Sequence, residues 1–136
     1  MKLTGGCYCR KLRYEAEGEP RFKGQCHCRE CQYITGGQSN AFMIWPLSGF
    51  RYVEGTPKSF TRRDLATPGT REFCGECGTH ILARSPVDPN VVSLKVGTLD
   101  DPSIYGMPQA ALHVSEKQSF HVLPEGVRTF EKFPTR

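Results

Sequence analysis

Cys7-Tyr8-Cys9, Cys26-His27-Cys28-Arg29-Glu30-Cys31 and Cys74-Gly75-Glu76-Cys77 hold all seven cysteines of the chain. Thiolates this close in sequence converge readily on one metal ion, and Zn²⁺ is the usual occupant of such clusters in a reducing compartment. A closed structural zinc site takes four ligands, so seven cysteines cannot fill two closed sites. Four plus three gives one saturated site and one with an open coordination position, which is what a catalytic zinc needs. The count alone points to a zinc enzyme.

Spacing apportions the ligands. In extended backbone, residues i and i+2 face the same side, so Cys7 and Cys9 reach one ion while Tyr8 points away. The same alternation joins Cys26 to Cys28 and turns His27 outward. Cys74-Gly75-Glu76-Cys77 suits a tight turn whose amides point at the sulfurs, a knuckle that commonly supplies half of a four-cysteine site. Cys26, Cys28 and Cys31 are close enough to bind an ion without distant help. The economical partition places Cys7, Cys9, Cys74 and Cys77 on a closed zinc and Cys26, Cys28 and Cys31 on an open one. Spacing leaves a second pairing standing, with Cys7 and Cys9 joined to the middle cluster.

The 136 residues suit a single domain spanning 1–136, with 38% hydrophobic and 24% charged residues and no linker-like stretch. A core this lean gains from metal bound only in the folded state. Met1 to Gly6 carries no apolar run of the signal-peptide kind, and no stretch approaches the roughly 18 apolar residues of a membrane span. The expectation is a cytoplasmic protein whose thiols meet metal rather than one another. The formal charge of +4 is no nucleic-acid signature. Seven thiolates on two Zn²⁺ ions would bring it to about +1, and the basic residues are scattered rather than striped.

The pattern is mostly β. Leu12 to Ala16 alternates apolar and polar; Ala41 to Trp45, Phe50 to Val53, Ser59 to Arg62, Ile81 to Ala83 and Val91 to Val96 read as strands, and Val127 to Phe130 as a weaker one. The 14 glycines and 10 prolines break these runs at short intervals. Short helical turns are expected after Cys28 and at Pro102 to Tyr105.

Gly5-Gly6-Cys7-Tyr8-Cys9, Leu12-Arg13-Tyr14, Cys26-His27-Cys28-Arg29-Glu30-Cys31 and Phe73-Cys74-Gly75-Glu76-Cys77-Gly78-Thr79 together resemble the glutathione-dependent formaldehyde-activating family. The resemblance implies a mainly β, Mss4-like fold (a β-tent) carrying zinc-binding cysteine clusters. It implies the same partition: Cys7, Cys9, Cys74 and Cys77 on a structural zinc, Cys26, Cys28 and Cys31 on a catalytic one, two Zn²⁺ per chain. The implied activity is of the carbon–sulfur lyase type, joining glutathione and formaldehyde to S-hydroxymethylglutathione. A glutathione-like thiol and a small aldehyde are the expected partners, with neither nucleic acid nor membrane. Arg10 stands where the first motif often continues with glycine, Gln32 where arginine often follows the middle motif, and Phe120 near the place of a frequent tryptophan.

With three thiolates and one open position, an incoming thiol would lose its proton on coordination and attack the aldehyde carbon. Arg29 is a candidate for a substrate carboxylate. His80 is expected to support a strand neighbour or a sulfur, and His113 and His121 to be structural. Tyr33 and Phe42 are candidates for a substrate mouth, and Gly36-Gly37 for a flexible loop beside it. Two further readings stay open: the same site acting on another thiol or aldehyde, and a non-enzymatic module with its second site closed by His27, His80 or a partner residue. A methionine sulfoxide reductase needs a cysteine off the metal, which this partition does not leave.

Overall fold

Eleven strands and one α-helix form among the described residues, 1–133 of this computed structural model. Residues 134–136, the end of the expected 1–136 unit, lie outside the described residues. In chain order the elements are β1 (Lys2–Gly6), β2 (Arg13–Glu17), β3 (Phe22–Cys26), α1 (Arg29–Thr35), β4 (Asn40–Pro46), β5 (Phe50–Glu54), β6 (Lys58–Thr61), β7 (Thr70–Phe73), β8 (His80–Arg84), β9 (Val91–Lys95), β10 (Ala110–Leu112) and β11 (Arg128–Thr129). They make a three-stranded sheet, β1-β2-β5, and an eight-stranded sheet, β11-β10-β3-β4-β9-β8-β7-β6. Pairing is antiparallel except where β10 runs parallel to β3 and β11.

The apolar run of β4 exists because both faces of that strand are covered. Met43 and Trp45 point into the main core, where Leu82, Val92 and Leu94 of the large sheet meet Leu3, Tyr14 and Phe50 of the small one. Fully burying a side chain of this class stabilises by roughly 1.5–3 kcal/mol. Phe42 and Ile44 turn to the opposite face and join Cys26, Cys31, Ala110 and Leu112 in a second, smaller core. One core thus closes two sheets like a tent, and the other seats a cysteine cluster. This is the mainly β, Mss4-like architecture that the sequence motifs imply.

The small sheet is tied to the segment after β9. The Asp100 carboxylate accepts from Thr4 Oγ1 at 2.6 Å and from Arg13 Nη1 at 3.1 Å, and the Asp100 amide donates to the Thr4 carbonyl. Beside the Arg13 guanidinium, Asp100 is held below the usual carboxylate range.

All seven expected strands form, within a residue or two of the expected bounds. Pro102–Tyr105 is a 3₁₀ turn, and the turn after Cys28 is the seven-residue α1. Four strands carry no clear period. In β1, Gly5 is needed where Tyr14 and Thr98 press against the chain: a Cβ there would lie 2.4 Å from the Tyr14 hydroxyl and the Thr98 carbonyl. In β3, Gly24 makes room in the same way for the Phe42 and Phe22 rings. β7 reads as polar because its one buried position is Glu72, which is ion-paired with Arg84 of β8. β10 has three residues, too few for any period. Among the described residues no helix is long and apolar enough to cross a membrane.

Candidate metal centres

Two chain segments 65 residues apart build the first cluster. Cys7 and Cys9 sit in the turn between β1 and β2, and Cys74 and Cys77 in the connection from β7 to β8. Their four sulfurs lie within 4.8 Å of one another. The Cys7–Cys9 separation is 3.5 Å and the Cys9–Cys74 separation 3.7 Å. A disulfide needs about 2 Å. A tetrahedral ion with bonds of about 2.3 Å to sulfur needs edges of about 3.8 Å, so the cluster is spaced for an ion. Amides converge as the knuckle reading requires: Leu12 N–H donates to Cys7 Sγ at 3.2 Å and Glu76 N–H to Cys74 Sγ at 3.4 Å. The Thr79 hydroxyl, 3.2 Å from Cys77 Sγ, leads the interactions that draw that thiol down to about 5. Cys9 goes the other way, to about 12: the Lys11 amide favours its thiolate, but desolvation and the neighbouring sulfurs outweigh it. Four crowded sulfurs cannot all ionise unaided, and a cation removes that penalty.

The route to convergence differs from the one the spacing suggests. Cys7-Tyr8-Cys9 is a turn rather than extended backbone, closed by Arg10 N–H on the Cys7 carbonyl at 3.1 Å. Tyr8 still points away, 92% exposed. The turn forces Arg10 to φ 70°, a left-handed conformation that costs a side-chain-bearing residue about 1 kcal/mol or more. Glycine's frequency at this place in the resembling family thus has a local cause. Arg10→Gly should stabilise the metal-loaded protein by about 0.5–1 kcal/mol, after the extra unfolded-state freedom of glycine is subtracted. Thermal melts should show a rise of roughly 2–4 °C; an unchanged or lower midpoint would mean that the turn stores no strain.

The second cluster is local. Cys26 ends β3, Cys28 is the N-cap of α1 with extended backbone, and Cys31 lies in the first turn of that helix. Cys28 Sγ accepts the Cys31 amide at 3.3 Å, so the capping interaction itself holds two of the sulfurs together. The three sulfurs lie within 4.8 Å of one another, and no histidine nitrogen belongs to the group. Cys26 and Cys31 are buried and Cys28 is half-buried. Hydrogen bonds from Cys26 and then Cys28 draw the Cys31 thiol far down, while Cys28 and then Cys31 hold Cys26 far up. One thiolate forms easily here and three only around a cation. The alternative of Cys7 and Cys9 joining the middle cluster is not what the fold builds.

His27 is not turned outward. It is 0% exposed, and its ring faces His121 rather than the sulfurs. His121 Nε2 lies 2.7 Å from the Gly37 carbonyl, so it carries the proton, and His121 Nδ1 accepts the Gln118 amide at 3.2 Å. His27 Nδ1, 3.1 Å from that same nitrogen, is therefore the donor, and its Nε2 is left buried without a partner. The reason for the reversal is the segment from His113 to His121, which lies over this side of the chain. Gln32 is its hub: its side-chain amide donates to the carbonyls of His27 and Glu116, and its oxygen accepts from Arg29 and Gln118.

The other named residues fall into place around this hub. Arg29 stacks over the exposed Tyr33, 5.1 Å from the ring centroid. Phe42 is buried in the small core with Cys26 and Cys31. Gly36 and Gly37 are no loose loop; Gly36 is the left-handed C-cap of α1, and the Gly37 amide closes on the Gln32 carbonyl at 2.7 Å. His80 packs on Phe73 with its Nδ1 sealed and unpartnered, and His113 meets Glu116 at 3.3 Å. Phe120 is exposed and edges onto His121. Sequence reasoning passed over Lys95 and Arg71, whose charges both act on Cys31. The signal was present for Lys95: a lysine inside a run of buried strand residues.

A mainly β tent with two separate thiol clusters, each spaced for an ion, defines a candidate metalloprotein. The family of glutathione-dependent formaldehyde-activating enzymes matches residues 2–116, and the chain belongs to that family. No curated protein matches it. The crystal structure of a Rhodobacter sphaeroides protein is similar in fold, with a TM-score of 0.62 at 20% identity over 78% of this chain and 97% of that one.

Proposed function

We propose that the chain is a zinc-dependent enzyme of the carbon–sulfur lyase type that joins a glutathione-like thiol to formaldehyde. The observation that carries this reading is the three-sulfur cluster without a fourth protein ligand among the described residues, in a chain whose family is named for that activity. Both sulfur sets suit Zn²⁺, which soft thiolates select. Cys7, Cys9, Cys74 and Cys77 would hold a structural ion, and Cys26, Cys28 and Cys31 a catalytic one. Zn²⁺ bound there supplies an electrophilic open position at which a thiol is held deprotonated.

The protein's own part is placement. Cys26 and Cys31 are anchored in the small core, and Cys28 is pinned by the helix it caps, so the donor set is rigid before substrate arrives. The segment His113–His121, locked onto α1 through Gln32 and onto His27 and Gly37 beside it through His121, covers the residue between Cys26 and Cys28. Formaldehyde is small enough to need little more than proximity to a held thiolate.

The test combines metal content with exchange spectroscopy. Protein purified without chelator should carry about two zinc ions per chain. Mild chelation should remove the ion of the three-sulfur site first, because four thiolates hold a closed site more firmly. Magnetisation exchange between free glutathione and its formaldehyde adduct should be faster with loaded protein than in buffer. Loss of both ions in one step counts against the partition. Exchange no faster than buffer, with glutathione failing to protect the second ion, sinks the formaldehyde reading. A different thiol–aldehyde pair at the same site would then take its place.

A further inference from the structure

Lys95 is a charged side chain in an interior place. It is 8% exposed, and among the described residues its ammonium makes no hydrogen bond or ion pair. Its position is fixed by register. Gly24 of β3 lies opposite Phe42 of β4, and Phe42 lies opposite Lys95 of β9. Residues in one row across neighbouring strands stand on one face of the sheet. Gly24 shares its face with Cys26, two residues on, and the Phe42 ring packs among Cys26 and Cys31. Lys95 therefore rises from the face that carries the three-sulfur cluster, two strand spacings, or about 10 Å, from β3. Much of that gap is within the span of its four-carbon stem. Burial holds its ammonium below the ordinary lysine range, and the negative charges that oppose this most are those of Cys31, Cys26 and Cys28.

The other cation that acts on Cys31 is already paired. Arg71 meets the Glu30 carboxylate of α1 at 3.9 Å. His80 Nδ1 is sealed away from solvent, as are His27 Nε2 and Gln25 Oε1, the other buried polar atoms without partners. The Lys95 ammonium, unpartnered too, is not among those sealed atoms and so keeps a small surface open. A desolvated cation left without a counter-anion is costly unless an anion arrives to meet it. The sulfurs alone account for only part of this: with a divalent ion they carry a net single negative charge.

We infer that Lys95 is a further catalytic residue, the cation that receives the aldehyde oxygen as it becomes negative; this rests on the thiol-and-aldehyde reading above. In that step the thiol, having released its proton to solvent, forms a carbon–sulfur bond to the carbonyl carbon. The π pair of the C=O bond moves onto oxygen, which Lys95 holds until solvent protonates it. Lys95 itself ends unchanged. A preorganised donor aimed at developing charge in a water-poor site stabilises the transition state more than the neutral substrate. The same geometry selects for thiol adducts whose negative oxygen lies close to the bound sulfur.

The test uses cobalt-loaded protein, in which the visible bands of the ion report thiol uptake. Thioglycolate carries a permanent negative oxygen near its sulfur, and its methyl ester carries none. Lys95→Met, which keeps the stem, should weaken thioglycolate about tenfold or more and the ester by less than about twofold. Lys95→Arg should restore most of the difference. With zinc and saturating glutathione and formaldehyde, the Met variant should lose about tenfold in maximal exchange rate. Lys95→Gln provides the same comparison if the Met variant does not fold. Equal weakening of both thiols, or of neither, overturns the role of Lys95 while leaving thiol uptake intact. No band shift with either thiol in the unaltered protein overturns the underlying reading, and this inference with it.

Discussion

Cys77→Ala should leave a protein that melts roughly 10 °C or more below the parent, with its first metal site compromised. The closed cluster joins the turn after β1 to the connection before β8, and Cys7 and Cys74 are themselves members of the main core. Metal held only by the folded chain contributes its binding free energy to folding, about 10–16 kcal/mol in small zinc domains. Losing one of four donors forfeits roughly a quarter of that, about 2.5–4 kcal/mol, against a total stability of about 5–15 kcal/mol. Removing Cys77 also frees the Thr79 hydroxyl and loosens a knuckle that places His80 at the start of β8. Thermal melts with zinc counts, run beside Cys31→Ala, measure the asymmetry. If the two substitutions cost the same stability, the middle cluster is as structural as this one, and the division of roles fails.

The cysteine partition was legible because it depends on counting and spacing, which survive any detail of backbone conformation. Cys7 and Cys9 show how far that reaches: the sulfurs meet as expected, although the chain turns between them instead of running extended. The strands Arg13–Glu17, Asn40–Pro46 and Val91–Lys95 were legible because their apolar pattern matches the faces they bury. β1 and β3 were hidden by glycines that the fold needs for close approach, where a missing side chain does the packing. The central misreading, His27 as an outward-facing spacer, has a different cause. Alternation tells which side chains avoid the sulfurs, but not whether water or protein lies on the other side. The cover comes from His113–His121, far away in sequence, and a period-two argument carries no information about it.

Lys95 and Gln32 were passed over for a related reason. A lysine in a strand reads as an edge or solvent residue, because burying its charge is normally too costly. Here three cysteine sulfurs on the same face change the balance, and their cluster is assembled from β3 and α1, more than 60 residues earlier. Gln32 reads as a surface helix residue after Cys31; its 3% exposure follows from two backbone carbonyls that it satisfies. Polar residues that serve a site are recognised by what they face, and facing is a tertiary property.

Cys31→Ala should abolish activity while leaving the fold nearly intact. Alanine is the best helix former, so α1 tolerates it, and the small volume lost from the second core costs on the order of 1 kcal/mol. Cys28→Ala is the less clean choice, because Cys28 Sγ is also the N-cap acceptor for the Cys31 amide. With two sulfurs left, metal affinity at this site should fall by well over 100-fold, since even loss of an outer-sphere contact costs 10–100-fold. The zinc count should drop from about two to about one per chain, and the remaining ion should resist mild chelation. Glutathione uptake should vanish with the second ion, and adduct exchange should return to the buffer rate. Excess zinc should not restore it. A variant that keeps one ion, melts near the parent and still accelerates exchange would place the chemistry elsewhere on the molecule.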